Sequence, residues 1–410
     1  MAAETRGEDA DPRARVDAAT TGDGDRPGTR SRLTGLDGLR GVAILLVVVS
    51  HGWLLWPTET IDGNDGLRIL FRNGNFAVTV FLFAAGFLTY RSLAAHGLAR
   101  ARIGRTTVRR VLRVAPITLV VLPAVLLVGA FDGDDTFSSR TNAESVWHVV
   151  TYTWNWFLQD DLAAARWDLG HLWYLSVDMQ AFLFCAVVIY LLRRRPGWLA
   201  VTLTGLLLLF TWWRVHVSGI EPELLVLLRT TARIDAFVAG VLTALVVAHL
   251  ARTELRPRSL TIVATTALAA APLLAWYCSH DQRFLHWGVT LFEIDLALLV
   301  GALALGARSP RVLTAAPLVF LGRNSLPIYV WHYPVFAAVA RNVPEWGWVP
   351  RALLGFALTA VACAASHYLV ERRVGRMLDH PRWRREESPA AGDTGDTGDA
   401  RATQPAQISK

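Results

Sequence analysis

The sequence predicts an all-α polytopic membrane protein, a bundle of about ten transmembrane helices with both termini in the cytoplasm. Three observations carry that expectation. Hydrophobic residues make up 53% of the 410 residues, charged ones only 18%, and there are 16 Trp, a balance that soluble domains do not reach. Apolar runs long enough to cross a hydrocarbon core of ~30 Å recur along the chain. The connections between those runs alternate between strongly basic and acidic or mixed.

Taken in order, residues 1–33 are rich in Ala, Asp, Arg, Gly and Thr without apolar periodicity, and read as a disordered cytoplasmic tail rather than a cleaved signal peptide. A membrane domain is expected over 34–375, with spans near 38–57, 75–93, 107–130, 171–192, 198–216, 225–248, 260–279, 287–307, 324–341 and 349–370. Between Arg91 and Arg113 lie Arg100, Arg102, Arg105, Arg109 and Arg110; later alternate loops hold Arg193, Arg194 and Arg195, then Arg252, Arg256 and Arg258, then Arg308 and Arg311. The intervening loops carry Asp132, Asp134, Asp135, Asp160 and Asp161, or Glu221 and Glu223, or Asp281. The positive-inside rule then places the basic loops and both termini in the cytoplasm and makes the span count even. Residues 376–410, with a Gly-Asp-Thr repeat, read as a second disordered tail.

Composition also excludes functions. The net charge of +7 is spent on topology, and no aromatic and basic interleaving suggests a nucleic-acid partner. Cys185, Cys278 and Cys363 lie in apolar runs without paired spacing, so buried free thiols are expected, with neither disulfides nor a metal site. Trp147, Trp154, Trp156 and Trp167 in the long outer segment 131–170 form either an interfacial aromatic belt or a sugar-stacking platform; both stay open.

Ionisable residues inside the apolar runs are where chemistry is expected, because a bilayer makes them costly. Arg40 and His51 stand 11 positions apart in the first run. At about 100° per residue that is roughly three turns plus 20°, so both share one helix face, ~16 Å apart along the axis. With Arg40 at the cytoplasmic edge, His51 falls near the membrane midplane. Each also has a plain interpretation: Arg40 as an interfacial cation near Asp37, His51 as a packing residue. The shared face, with Gly38, Gly41 and Gly52 allowing close backbone approach, favours a site, and histidine is suited to moving protons near neutral pH. The basic rim of Arg105, Arg109, Arg110 and Arg113 either serves topology or binds an anionic cytosolic ligand such as a nucleotide phosphate.

Four ordered blocks resemble one family. Leu36-Asp37-Gly38-Leu39-Arg40-Gly41 leading to His51 is similar to the opening signature of the acyltransferase 3 group of integral membrane acyltransferases. Ala77–Leu88, His171–Gln180 and Leu321–Pro334 resemble its later motifs, and Glu371-Arg372 its terminal one. The resemblance implies transfer of an acyl group, usually acetyl, from acyl-CoA to a hydroxyl of a carbohydrate or sugar-bearing acceptor, with no metal. On that basis His51 serves as general base or transient acyl carrier, and Arg40 with Arg110 and Arg113 positions the donor; His332, about seven residues into its helix, either meets His51 across the bundle as part of the site or simply packs. His171, Ser176, Asp178 and Tyr329 face the acceptor, Asp178 from near the outer mouth, while Ser176 is equally explained as a helix N-cap. Asp178 and Met179 replace two acids of the family pattern. The soluble esterase-like domain that some relatives append is not expected, because the tail is short and polar. Arg233 and Asp235 are read as a pair, and Glu293 and Asp295 as facing different sides of their helix. The rival class is a secondary transporter or exporter of a polar metabolite, which also needs intramembrane charge.

Overall fold

A computed structural model describes residues 33–378, apart from 59, 60, 62, 73, 95–99, 134 and 279–282. The two tails expected to be disordered lie almost wholly outside the described residues, as do Asp134 and Asp281. Among the described residues every element is helical. The helices are α1 (Thr34–Leu55), α2 (Asp65–Arg72), α3 (Gly74–Ala94), α4 (Arg100–Phe131), α5 (Ser139–Val150), α6 (Trp154–Asp160), α7 (Trp173–Leu192) and α8 (Pro196–Ser218). There follow α9 (Glu223–Leu228), α10 (Ile234–Leu250), α11 (Pro257–Cys278), α12 (Val289–Ala304), α13 (Ala316–Arg323), α14 (Ser325–Asn342), α15 (Trp348–Ser366) and α16 (Arg372–Leu378).

Each of the ten expected spans overlaps a helix, but that at 225–248 begins in the separate short α9 and a 3-10 turn before α10. Eight described helical stretches are long and apolar enough to cross a membrane. The expected spans at 225–248 and 324–341 are α10, with 17 residues, and α14, which is not among those eight. Burial ranks the rest: 78% of the apolar window of α3 is enclosed, against 17% for α8 and 11% for α11. A helix that is apolar all round belongs at the centre of the bundle, and α3 sits there against α1 and α10.

Glycine makes these central contacts possible. A Cβ on Gly86 of α3 would stand 2.0 Å from the Phe237 carbonyl oxygen of α10, and one on Gly240 would stand 2.0 Å from that of Phe83, so the two backbones touch. On α1, a Cβ at Gly38 or Gly41 would collide with the Leu313 or Leu318 carbonyl at 1.8 or 2.0 Å. The short α13 thereby wedges beside the first turns of α1 and delivers α14 to the same face.

The long segment after α4 is structured. It holds α5, α6 and a 3-10 turn over Trp167–Leu172 that runs into α7. Trp154 is fully buried and its indole N–H donates to the Leu169 carbonyl at 3.0 Å, whereas Trp147, Trp156 and Trp167 are exposed. One of the four tryptophans is therefore a core residue.

Candidate active site

The first turns of α1 pack on α13, and its later turns on α14. Two polar links tie α1 to α14. Near the start of α14, Arg40 Nη2 donates to Ser325 Oγ at 2.7 Å. Farther along both helices, His51 Nδ1 and His332 Nε2 lie 2.7 Å apart with the rings stacked at 5.0 Å. The 3-10 turn before α7 adds His171, whose ring centre is 6.4 Å from that of His51 and 5.5 Å from that of His332. Three imidazoles from three distant segments thus form one cluster.

Hydrogen-bond partners assign their tautomers. His332 Nδ1 lies 2.9 Å from the Ile328 carbonyl oxygen. A carbonyl only accepts, so Nδ1–H donates and Nε2 of the neutral ring is left as an acceptor. His51 Nδ1–H then donates to it, which leaves a lone pair on His51 Nε2. His171 Nε2 likewise donates to the Val330 carbonyl at 3.2 Å, and its buried Nδ1 has no partner. His332 and His171 are 0% and 3% exposed, whereas His51 is half-buried. Of the three, His51 alone keeps some exposure.

Tyrosines wall the cluster. Tyr333 stacks on His171 at 4.9 Å and meets His51 edge-on at 4.8 Å. Tyr329 donates its hydroxyl to the His171 carbonyl and packs against Tyr174. Tyr329, His332 and Tyr333 are spaced i, i+3, i+4 and so share one face of α14; Tyr333 and Ser325 were legible from that spacing and were missed.

A buried ion network anchors the turn that carries His171. Arg166, 1% exposed, donates from Nε and Nη2 to Asp168 at 3.1 and 2.7 Å, from Nη2 to Asp135 at 2.8 Å and from Nη1 to Asn142 at 2.7 Å. Burial disfavours the charge of Arg166, but Asp168 and Asp135 outweigh it and raise the guanidinium above its ordinary pKa. Arg341 at the end of α14 joins the network through Asp168 at 3.6 Å and also pairs with Asp132 at 2.9 Å. Acidic residues of the segment after α4, Asp132 and Asp135 among them, are here parts of one scaffold.

Several expected residues lie elsewhere than the sequence suggested. Arg110 and Asp178 were assigned to opposite sides of the reaction, yet Arg110 Nη2 meets Asp178 Oδ2 at 2.5 Å, with the guanidinium over the Phe182 ring at 4.6 Å. Arg113 is exposed. Ser176 does not cap: α7 begins at Trp173 behind Leu172, and Ser176 is buried inside it. Asp235 pairs with Arg214 at 2.6 Å, both 0% exposed, and not with its near neighbour Arg233. Because α1 starts at Thr34, Arg40 is ~9 Å along it and His51 ~26 Å. The three cysteines are free. No group of residues suited to hold a metal ion occurs among the described residues.

With this geometry in view, similarity to known proteins is informative. A family model described as "Acyltransferase domain" matches residues 33–368. The peptidoglycan O-acetyltransferase OatA of Listeria monocytogenes is 24% identical over 331 residues, covering 75% of this chain and 50% of that protein. The putative peptidoglycan O-acetyltransferase YrhL of Bacillus subtilis is 28% identical over 374 residues, 83% of this chain and 55% of its own length. The O-acetyltransferase OatA of Staphylococcus aureus is 23% identical over 368 residues, covering 83% and 56%. The chain spans about half the length of these relatives. No solved structure matches.

Proposed function

The chain belongs to the acyltransferase family, and from that premise we propose that it transfers an acetyl group from acetyl-CoA to a hydroxyl of a cell-envelope glycan, with His51 in the chemical step. The similarity to peptidoglycan O-acetyltransferases supports the glycan class. The observation that carries the assignment is the tautomer chain Ile328 carbonyl, His332, His51, which leaves the lone pair of His51 Nε2 on the only half-buried ring of the three.

A thioester is already activated, so the protein mainly supplies a base, charge stabilisation and a water-poor cavity. His51 Nε2 takes the proton of the acceptor hydroxyl as its oxygen attacks the thioester carbonyl, and the departing thiolate of CoA receives that proton. Alternatively His51 Nε2 attacks the thioester carbonyl, breaks the C–S bond and expels the CoA thiolate, then holds the acetyl group until the acceptor hydroxyl takes it and gives its proton to that thiolate. Both routes load positive charge onto His51, and the Nε2 lone pair of His332 accepts from its Nδ1–H throughout. His332 thus fills the orienting role that a carboxylate plays beside a catalytic histidine elsewhere. On the orientation that the basic loops favour, the donor enters past Arg40 and the acceptor arrives from the end of α1 where His51 lies.

Purified protein incubated with acetyl-CoA and a soluble peptidoglycan oligosaccharide is expected to release free thiol and add one acetyl mass to the sugar. His51→Gln should lower the rate by roughly 100-fold to 10,000-fold while the protein remains folded. A transporter would release no thiol. Full thiol release by the His51 variant would remove His51 from the mechanism.

A further inference from the structure

A second polar cluster lies where α3, α10 and α12 begin and α8 ends. It contains Arg214 and Asp235, together with Arg233 and Glu293. The two halves are satisfied to very different degrees. Arg214 uses its whole guanidinium: Nε to Asp235, Nη1 to the Leu285 and His286 carbonyls, and Nη2 to Thr290 at 2.7 Å. Those two carbonyls sit where the backbone leaves helical geometry at His286 (ψ −106°), so Arg214 repairs a helix break. That pair is fully accounted for as scaffold.

Arg233 and Glu293 are not. Arg233 is 0% exposed and donates only from Nη2, to Thr79 Oγ1 at 3.1 Å and the Asn75 carbonyl at 3.4 Å, while its Nε and Nη1 have no partner. Glu293 is 4% exposed, with a buried Oε1 that lacks a partner. Aromatic rings pack about Arg233: it lies over Phe284 at 5.6 Å, and Phe76 packs on both Phe284 and Phe292 at 4.9 and 4.6 Å. Leaving buried donors and a buried carboxylate oxygen without partners is costly, and it is the usual mark of groups held ready for a ligand.

The cluster reaches the histidine-bearing helix through α3, which packs on both α1 and α10. Arg233 holds the first turns of α3, and the start of that helix at Gly74 lies directly against Ser50, the residue before His51, since a Cβ on Gly74 would be 2.7 Å from Ser50 Oγ. Open donors on one side and an open acceptor on the other suit a group that both accepts and donates. An alcohol does this; an anion or a cation alone does not.

We propose that Arg233 and Glu293 form a subsite for a hydroxyl group of the sugar acceptor, one that sets where the acceptor lies relative to His51. This rests on the acetyl-transfer reading above. The test is a KM comparison with acetyl-CoA and a soluble peptidoglycan oligosaccharide. Wild-type turnover of both substrates checks the underlying reading independently. Given that turnover, Glu293→Gln, which keeps the shape and replaces one carboxyl oxygen by an amide nitrogen, should raise the KM for the oligosaccharide roughly ten-fold or more and leave the KM for acetyl-CoA unmoved. Arg233→Lys, which keeps the charge and loses the fork, should do the same. An unmoved oligosaccharide KM in both variants, as a bridging water alone would produce, overturns the subsite. So does a loss in which both KM values and the folded fraction change together, the signature of a purely structural pair.

Discussion

At the residue scale, the chemistry depends on which imidazole nitrogen carries a proton. His332 is wholly buried and has one ring nitrogen committed to a backbone carbonyl, so it cannot turn to offer a different face to His51. His332→Phe preserves ring volume and removes the acceptor for His51 Nδ1–H. The expected result is a fall in kcat of roughly 100-fold with little change in KM for acetyl-CoA, measured by thiol release. An unchanged kcat would mean that His51 finds its tautomer without help. The Arg110–Asp178 pair teaches a different lesson. With side-chain exposures of 18% and 10%, removing either partner alone strands the other charge, so Asp178→Asn should cost stability of ~3 kcal/mol or more in thermal unfolding, in addition to any effect on turnover.

At the element scale, the site is held by helices whose backbones touch. The reciprocal contacts of Gly86 with Phe237 and Gly240 with Phe83 lock α3 to α10, and α3 in turn positions the segment beside Ser50 and His51. Gly86→Ala must push a carbonyl aside, and should destabilise the protein by more than the ~1–3 kcal/mol of ordinary overpacking. Gly104→Ala is the matched control: a Cβ there meets nothing within 4 Å, so helix propensity alone should make it neutral or stabilising by up to ~1 kcal/mol. Equal unfolding temperatures for the two variants would show that the helix pair is more compliant than its geometry implies. The network of Arg166, Asp168 and Asp135 has a comparable role for the 3-10 turn that presents His171, and it does so from loops that look unremarkable in sequence.

At the scale of the whole molecule, the alternation of basic and acidic connections makes a topological prediction that labelling can check. A single cysteine at Asp161→Cys should react in intact cells with a membrane-impermeant maleimide, and one at Arg194→Cys should not. The reverse pattern would invert the protein and exchange the sides proposed for donor and acceptor. The sequence by itself determined the all-α membrane class and the places of its long apolar helices, and it singled out Arg40, His51, His171, Tyr329 and His332 as candidates. Hydropathy and helical periodicity are local, and each of those residues lies within a recognisable short block. Only the tertiary structure decided the partnerships: His51 with His332, 281 positions away, Arg110 with Asp178, and Asp235 with Arg214 in preference to the nearer Arg233. A helix carries no local record of how it is rotated against its neighbours. In an apolar interior that rotation selects which costly polar groups meet, and which, like Arg233 and Glu293, keep open hydrogen-bonding positions.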